Sequence, residues 1–201
     1  ELPTVVVFGL LFFFSDRSPQ PAAIVFLVLW QFHYVYRTFV FPLLLRGQEP
    51  MALIIPLAGI GFNVGNAYIN GRWLFHFGPE RGVEWLSDPR FIVGCVIFAT
   101  GFVIHSTSDR ILRNLRSKTE EGNAYRVPYG GLFRWISSPN YFGEMTQWLG
   151  FAIATWSIPG LAFFVWTFAN LFPRALANHR WYKGEFQDYP KERRAIIPFV
   201  L

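Results

Sequence analysis

The chain has little charge. Asp, Glu, Lys and Arg make up 15% of its 201 residues, against 52% hydrophobic residues. That balance excludes an ordinary soluble domain of this length. A single cysteine, Cys95, lies inside an apolar run, so no internal disulfide can form and the redox compartment stays open. Cofactor signatures of soluble folds are also missing. No Gly-x-Gly-x-x-Gly follows a strand pattern, no Walker lysine loop occurs, and no Cys/His spacing suits zinc, so no metal site is expected. A nucleotide cofactor would have to be held among helices. The net charge of +5 is modest, and the basic residues form no nucleic-acid motif, which argues against a nucleic-acid partner. No basic region of a signal peptide opens the chain, and its first residue is Glu1 rather than Met, from which a missing N-terminal segment is expected.

What the sequence has in quantity is aromatic and aliphatic side chains, including 23 Phe and 8 Trp. About 20 apolar residues cross a bilayer, and Trp and Tyr favour its interfaces. Six apolar spans follow: Leu2 to Phe14, Pro21 to Leu45, Pro50 to Phe75, Phe91 to Asp109, Pro139 to Trp156 and Pro159 to Leu171. The expected fold is all-α, a polytopic transmembrane helix bundle forming one domain over residues 1–201. Most Lys and Arg fall on one side of it. Arg46, Arg110, Arg113, Arg116, Lys118, Arg126, Arg134, Arg174, Arg180, Lys183, Lys191, Arg193 and Arg194 share that side, which the positive-inside rule makes cytoplasmic.

Polar residues on these spans recur at helical spacing. Ser15 to Gln20 break the first two spans into a hairpin, and Glu1 and Tyr34 each lie thirteen residues from its ends, about 20 Å at 1.5 Å per residue. A carboxyl and a phenol thus come level inside the membrane, where an unpaired charge is expensive. His33 and Arg37 follow on the same helix and suit packing or snorkelling. Asn63, Asn66 and Asn70, with Gly59, Gly61, Gly65 and Gly71, suit helix–helix association as well as ligand contact. The loop Gly78 to Pro89 carries Glu80, Glu84 and Asp88 as a solvated surface.

The cytoplasmic side gathers more. His105, Asp109, Arg113 and Arg116 form one stripe, and paired guanidinium donors suit phosphate. The polar, Gly/Pro-punctuated stretch Tyr125 to Glu144 runs into a helix with Asn140, Glu144 and Gln147 on one face. Arg174, Asn178 and Tyr182, four apart, line the end of the last span.

The motifs H-Y-V-Y-R-T-F-V from His33, S-D-R-I-L-R-N-L-R from Ser108, Y-R-V-P-Y-G-G-L-F from Tyr125, S-P-N-Y-F-G-E from Ser138, A-T-W-S from Ala154 and F-Q-D-Y-P-K from Phe186 resemble the steroid 5α-reductase family. The resemblance covers essentially the whole chain and lies near the family's animal type 2 branch in motif. It implies a seven-helix membrane fold, one helix of which would precede Glu1, and NADPH as cofactor. It also implies that Glu1 and Tyr34 hold a steroid 3-keto oxygen. Cofactor positions of the family match Asp109, Arg113, Arg116, Tyr125, Arg126, Asn140, Glu144, Arg174 and Tyr182. His105 and Asn178 depart from its pattern, where similar animal members carry Asn and His; both remain in the candidate cofactor set, as do Arg37 and Asn66.

The implied reaction is reduction of a Δ4-3-oxo-steroid or similar lipid enone, with the substrate and membrane lipid as partners and no obligate protein partner. The cofactor side would be cytoplasmic, at the endoplasmic reticulum in a eukaryote or the inner membrane in a bacterium. Two alternatives stand beside it. One is an S-adenosylmethionine-dependent methyltransferase of the isoprenylcysteine or phospholipid type, whose Arg-His-Pro signature is replaced here by Ser137-Ser138-Pro139. The other is a non-catalytic lipid-binding or transport protein.

Overall fold

The computed structural model describes residues 1–45, 52–116 and 125–200. The described residues are helical apart from turns, with one isolated bridge between Ile136 and Arg194. Helix α1 spans Leu2–Phe13 and α2 spans Pro21–Val35, continued through a π-helical turn at Tyr36–Val40 into α3, Phe41–Leu44. Helix α4 (Ile54–Arg72) ends in a second π-helical turn, Trp73–Phe77. Then come α5 (Pro89–Arg116), α6 (Pro139–Thr155) and α7 (Ile158–Glu185).

The apolar spans are therefore helices, and three of them, Pro21–Leu44, Pro89–Leu115 and Ile158–Glu185, are long and apolar enough to cross a membrane. Helices α5 and α7 outrun the expected spans Phe91 to Asp109 and Pro159 to Leu171. Their polar ends keep helical spacing after the apolar run stops. The expected start of the third span at Pro50 lies outside the described residues, as do Arg46 and Lys118.

The chain divides into two compact units, Glu1–Cys95 with Phe151–Phe163, and Val96–Gly150 with Phe164–Leu201. In the first, α1 packs against α2 and α4. Phe8 stacks on Trp30 with centroids 4.3 Å apart, and Phe75 meets Phe8 edge-on at 5.1 Å. Gln31 Nε2 donates to the Val5 carbonyl across the hairpin at 2.9 Å. Of the glycines on α4, Gly71 faces α1, where a Cβ would meet Leu11 Cδ1 at 2.8 Å, whereas Gly59, Gly61 and Gly65 have nothing within 4 Å. The association reading of those three glycines therefore fails within this unit. Their faces meet open space.

The loop before α5 keeps Glu80 and Glu84 exposed, as expected of a solvated surface, and is also tied down by its aromatic and basic side chains. Trp85 Nε1 donates to the Ala154 carbonyl at 3.0 Å, and the Arg81 guanidinium lies 3.6 Å from the Trp85 ring centroid. Glu80 pairs with Arg17 at 3.5 Å. Asp88 caps α5 by accepting from the Arg90 backbone N–H at 2.8 Å, with Pro89 at the first helical position. Hydrogen bonds from the Arg90 side chain pull the Asp88 pKa down from 3.8 to about 2. A depressed carboxylate stabilises fully above its unfolded value and ceases to do so as pH falls through the folded one. Asp88→Asn should therefore lower the unfolding midpoint at pH 7, with the difference shrinking as pH drops from 4 towards about 2. A wild-type–variant gap that stays constant across that window would refute this cap.

The A-T-W-S motif is the corner between α6 and α7. Trp156 takes φ 42°, in the left-handed region, and Ser157 Oγ caps α7 by accepting from the Gly160 N–H at 3.1 Å.

In the second unit α5 and α6 cross backbone to backbone at Gly101 and Gly143. A Cβ on Gly101 would lie 2.7 Å from Gln147 Cα, and one on Gly143 would lie 2.9 Å from His105 Cα. Backbone cannot step aside as a flexible side chain can. Gly143→Ala is expected to destabilise by about 1–3 kcal/mol or more, whereas Gly61→Ala should be tolerated, as read from thermal unfolding midpoints in one detergent. Equal midpoints for the two variants would contradict the close crossing. Met145 of α6, Leu171 and Ala175 of α7 and Ile196 of the C-terminal segment form the core beside it.

Candidate functional site

In the first unit the α1–α2 hairpin brings the Glu1 carboxylate to the Arg37 guanidinium, Oε1 to Nη2 3.4 Å. Arg37 lies three residues beyond Tyr34, about one helical turn. The expensive carboxylate thus has a partner, and Arg37 is that partner rather than a snorkelling side chain alone. Its guanidinium also sits 4.6 Å from the Phe41 ring centroid. Tyr34 is buried, its ring against Trp30 at 5.1 Å and edge-on to His33 at 5.0 Å. Because Trp30 is itself stacked on Phe8, the phenol rests on a rigid aromatic column.

On α4 the Asn70 side-chain amide donates to Asn66 Oδ1 at 3.0 Å, one turn away. Asn66 is 9% exposed, and its own Nδ2 has no hydrogen-bond partner among the described residues.

In the second unit the Gly101–Gly143 crossing lets α6 approach the His105 side of α5. His105 is 2% exposed. Its Nδ1 lies 3.3 Å from the Asn140 carbonyl and 3.8 Å from Glu144 Oε2, and its Nε2 lies 3.5 Å from Asp109 Oδ2. Four of the expected residues thus form one cluster. Arg113 continues the same helical face one turn beyond Asp109. Arg116 closes α5, and its side chain lies outside the described residues.

Tyr125 packs edge-on against Trp181, centroids 5.2 Å apart, and Trp181 adjoins Tyr182 at 5.0 Å. Arg126 and Arg174 are exposed and Asn178 is half-buried; among the described residues their side chains form no hydrogen bond or ion pair.

Some buried polar groups carried no signal in the sequence. Arg193, counted there only among the cytoplasmic-side cations, is 2% exposed, and its guanidinium lies 4.8 Å from the Tyr129 ring centroid. Ser138 is buried directly before α6, and its Oγ has no partner among the described residues. Neither residue shares a periodic face with the candidates, so spacing could not find them.

The fold is that of a helical membrane protein with carboxylates, amides and guanidinium groups along its helices. The family model described as 3-oxo-5-alpha-steroid 4-dehydrogenase matches residues 49–201. The chain is 45% identical over 187 residues to 3-oxo-5-alpha-steroid 4-dehydrogenase 1 of Bos taurus, covering 93% of this chain and 72% of that protein. It is 42% identical to the steroid 5-alpha-reductase DET2 of Solanum lycopersicum over 204 residues, covering 100% of this chain and 78% of that protein. The Homo sapiens 3-oxo-5-alpha-steroid 4-dehydrogenase 1 is 39% identical over 204 residues, with 100% and 77% covered. The chain therefore belongs to the 3-oxo-5-alpha-steroid 4-dehydrogenase family, and it is an oxidoreductase.

Proposed function

We propose that this enzyme uses NADPH to reduce the Δ4 double bond of a 3-oxo-steroid or a similar lipid enone. The reading is carried by similarity along nearly the full chain to proteins named as steroid 5-alpha-reductases and 3-oxo-5-alpha-steroid 4-dehydrogenases.

The chain's own residues fit the cofactor. In the second unit Arg113, Arg116, Arg126 and Arg174 are guanidinium groups of the kind that give phosphate paired donors, as is Arg37 in the first. Asp109, Asn140, Glu144, Tyr125, Asn178 and Tyr182 supply partners for ribose and amide groups, with His105 fixed among the first three. Asn66 Nδ2 in the first unit and Ser138 Oγ in the second are each buried with their hydrogen bonds unfilled among the described residues, as a polar ligand at either position would require. When bound, NADPH supplies a hydride for carbon 5 of the enone.

Negative charge then develops on the carbonyl oxygen, and a donor held there stabilises it more than it stabilises the ketone. Tyr34 is that donor, with its ring held against Trp30. Glu1, which donates there only as a protonated carboxyl, is the second group at the carbonyl, with Arg37 beside it, and a proton taken up at carbon 4 completes the reduction.

Purified protein incubated with a conjugated 3-oxo-steroid and NADPH, NADH or S-adenosylmethionine, with products identified by mass, tests the reading. A product two mass units heavier with NADPH supports it. A methylated product, or none with any cofactor, overturns it. Glu144→Ala and Arg174→Ala should each raise the KM for NADPH about 10- to 100-fold, the loss of one charge-assisted contact. Wild-type KM in both would remove these two residues from the cofactor site.

A further inference from the structure

Ser137, His179 and Tyr189 lie on three different elements of the second unit, yet they meet at one oxygen. Ser137 Oγ is 2.6 Å from His179 Nδ1, 2.6 Å from the Tyr189 hydroxyl and 3.1 Å from the Arg194 carbonyl. A serine hydroxyl has one donor and two acceptor positions, and this arrangement uses all three: it donates to Arg194 and accepts from Tyr189 O–H and His179 Nδ1–H. The proposed reaction uses none of these residues.

Tyr189 leads from this oxygen to Tyr182. The Tyr189 and Tyr182 rings are stacked, 10° from parallel with centroids 5.3 Å apart. Tyr182 also touches Trp181 and Phe186, but both lie close to it in sequence and are not buried. Tyr189 is different: it is 5% exposed and its hydroxyl is anchored. The Arg193 guanidinium lies 5.2 Å from the Tyr189 ring centroid and fixes it further.

His179 in turn lies on α7 one turn before Tyr182. The contacts close a circuit, Tyr182 to Tyr189 by stacking, Tyr189 to Ser137 to His179 by hydrogen bonds, and His179 back to Tyr182 through one turn of α7. Both the ring and the backbone of Tyr182 are held. Ser137 is also tied by its backbone N–H to the Arg194 carbonyl at 2.9 Å, three residues before Asn140.

We propose that Ser137, His179 and Tyr189 are positioning residues that fix the Tyr182 ring for NADPH binding. The inference rests on reading Tyr182 as a cofactor ligand. Both can be tested on the purified full chain by calorimetric titration with NADP+, alongside single-turnover reduction at saturating NADPH.

Tyr189→Phe keeps the stacked ring and deletes only the hydroxyl. It should raise the Kd for NADP+ about five- to tenfold, the loss of one buried hydrogen bond, and leave the saturated single-turnover rate within about twofold of wild type. His179→Leu should do the same, whereas His179→Asn, which keeps a polar atom near the Nδ1 position, should restore most of the affinity. In a Tyr182→Leu background, Tyr189→Phe should weaken binding no further. If Tyr189→Phe does not fold, Ser137→Ala removes the same bond and tests the same point.

Unchanged NADP+ affinity in Tyr182→Leu would overturn the ligand reading and this inference with it. A weakened Tyr182→Leu beside wild-type affinity in Tyr189→Phe and His179→Leu would overturn the inference alone. A lowered unfolding midpoint with unchanged affinity would likewise leave the network a purely structural tie.

Discussion

Tyr34→Phe is expected to slow single-turnover NADPH oxidation about 10²- to 10³-fold at saturating cofactor and enone, the usual effect of deleting one donor to a developing oxyanion. The substitution removes a hydroxyl and leaves the ring. That ring is buried against Trp30 and His33, so its packing should survive and the loss should fall on the chemical step. Affinity for NADPH should stay at the wild-type level, because in this reading the phenol meets the carbonyl and not the cofactor. The informative comparison is with Trp30→Phe, which keeps the hydroxyl and disturbs the aromatic column beneath it; a smaller loss is expected there. A Tyr34→Phe enzyme with a wild-type single-turnover rate would exclude Tyr34 as the carbonyl donor.

The helices themselves were legible in the sequence, because an apolar run of this length between Pro and Gly punctuation leaves few alternatives. Helix ends were less so. Hydropathy reports where the hydrocarbon stops, and α5 and α7 continue past that point to Arg116 and Glu185. The stripe His105, Asp109, Arg113 was readable because α5 alone sets its spacing. What brings Asn140 and Glu144 to His105 is the close crossing at Gly101 and Gly143, and neither glycine stood out. The glycines that drew attention lay beside asparagines on α4, and at three of the four an added Cβ would meet nothing within 4 Å among the described residues.

Contacts between separate elements were illegible for the same reason. Ser137 finds His179 and Tyr189 at separations of 42 and 52 residues, which no periodicity encodes. The charges of the loop before α5 announced its exposed face at Glu80 and Glu84, but not its fixed points at Trp85 and Arg81. Glu1 shows an intermediate case. The hairpin count placed it level with Tyr34, near the end of α2, where an unpaired carboxylate is costly; only the geometry identifies a partner, Arg37.

That pairing sharpens what a change at Glu1 should do. A carboxylate only accepts hydrogen bonds, while a protonated carboxyl or an amide can donate one to a carbonyl oxygen. If Glu1 acts as a donor at the carbonyl, Glu1→Ala should lose about 10²-fold or more in the single-turnover rate, and Glu1→Gln should retain a large part of it. If its task is instead to hold Arg37 at 3.4 Å, both substitutions remove the charge that does so and should fail alike. We expect the first pattern. Arg37→Leu separates the two roles from the other side: as a proposed cofactor ligand its loss should raise the KM for NADPH, with a smaller effect on the saturated rate than Glu1→Ala has. Rates should be measured with folding checked independently by thermal unfolding. Glu1→Gln as slow as Glu1→Ala, with both matched by Arg37→Leu, would reassign Glu1 from the carbonyl to the ion pair. Wild-type rates in all three would remove both residues from the reaction.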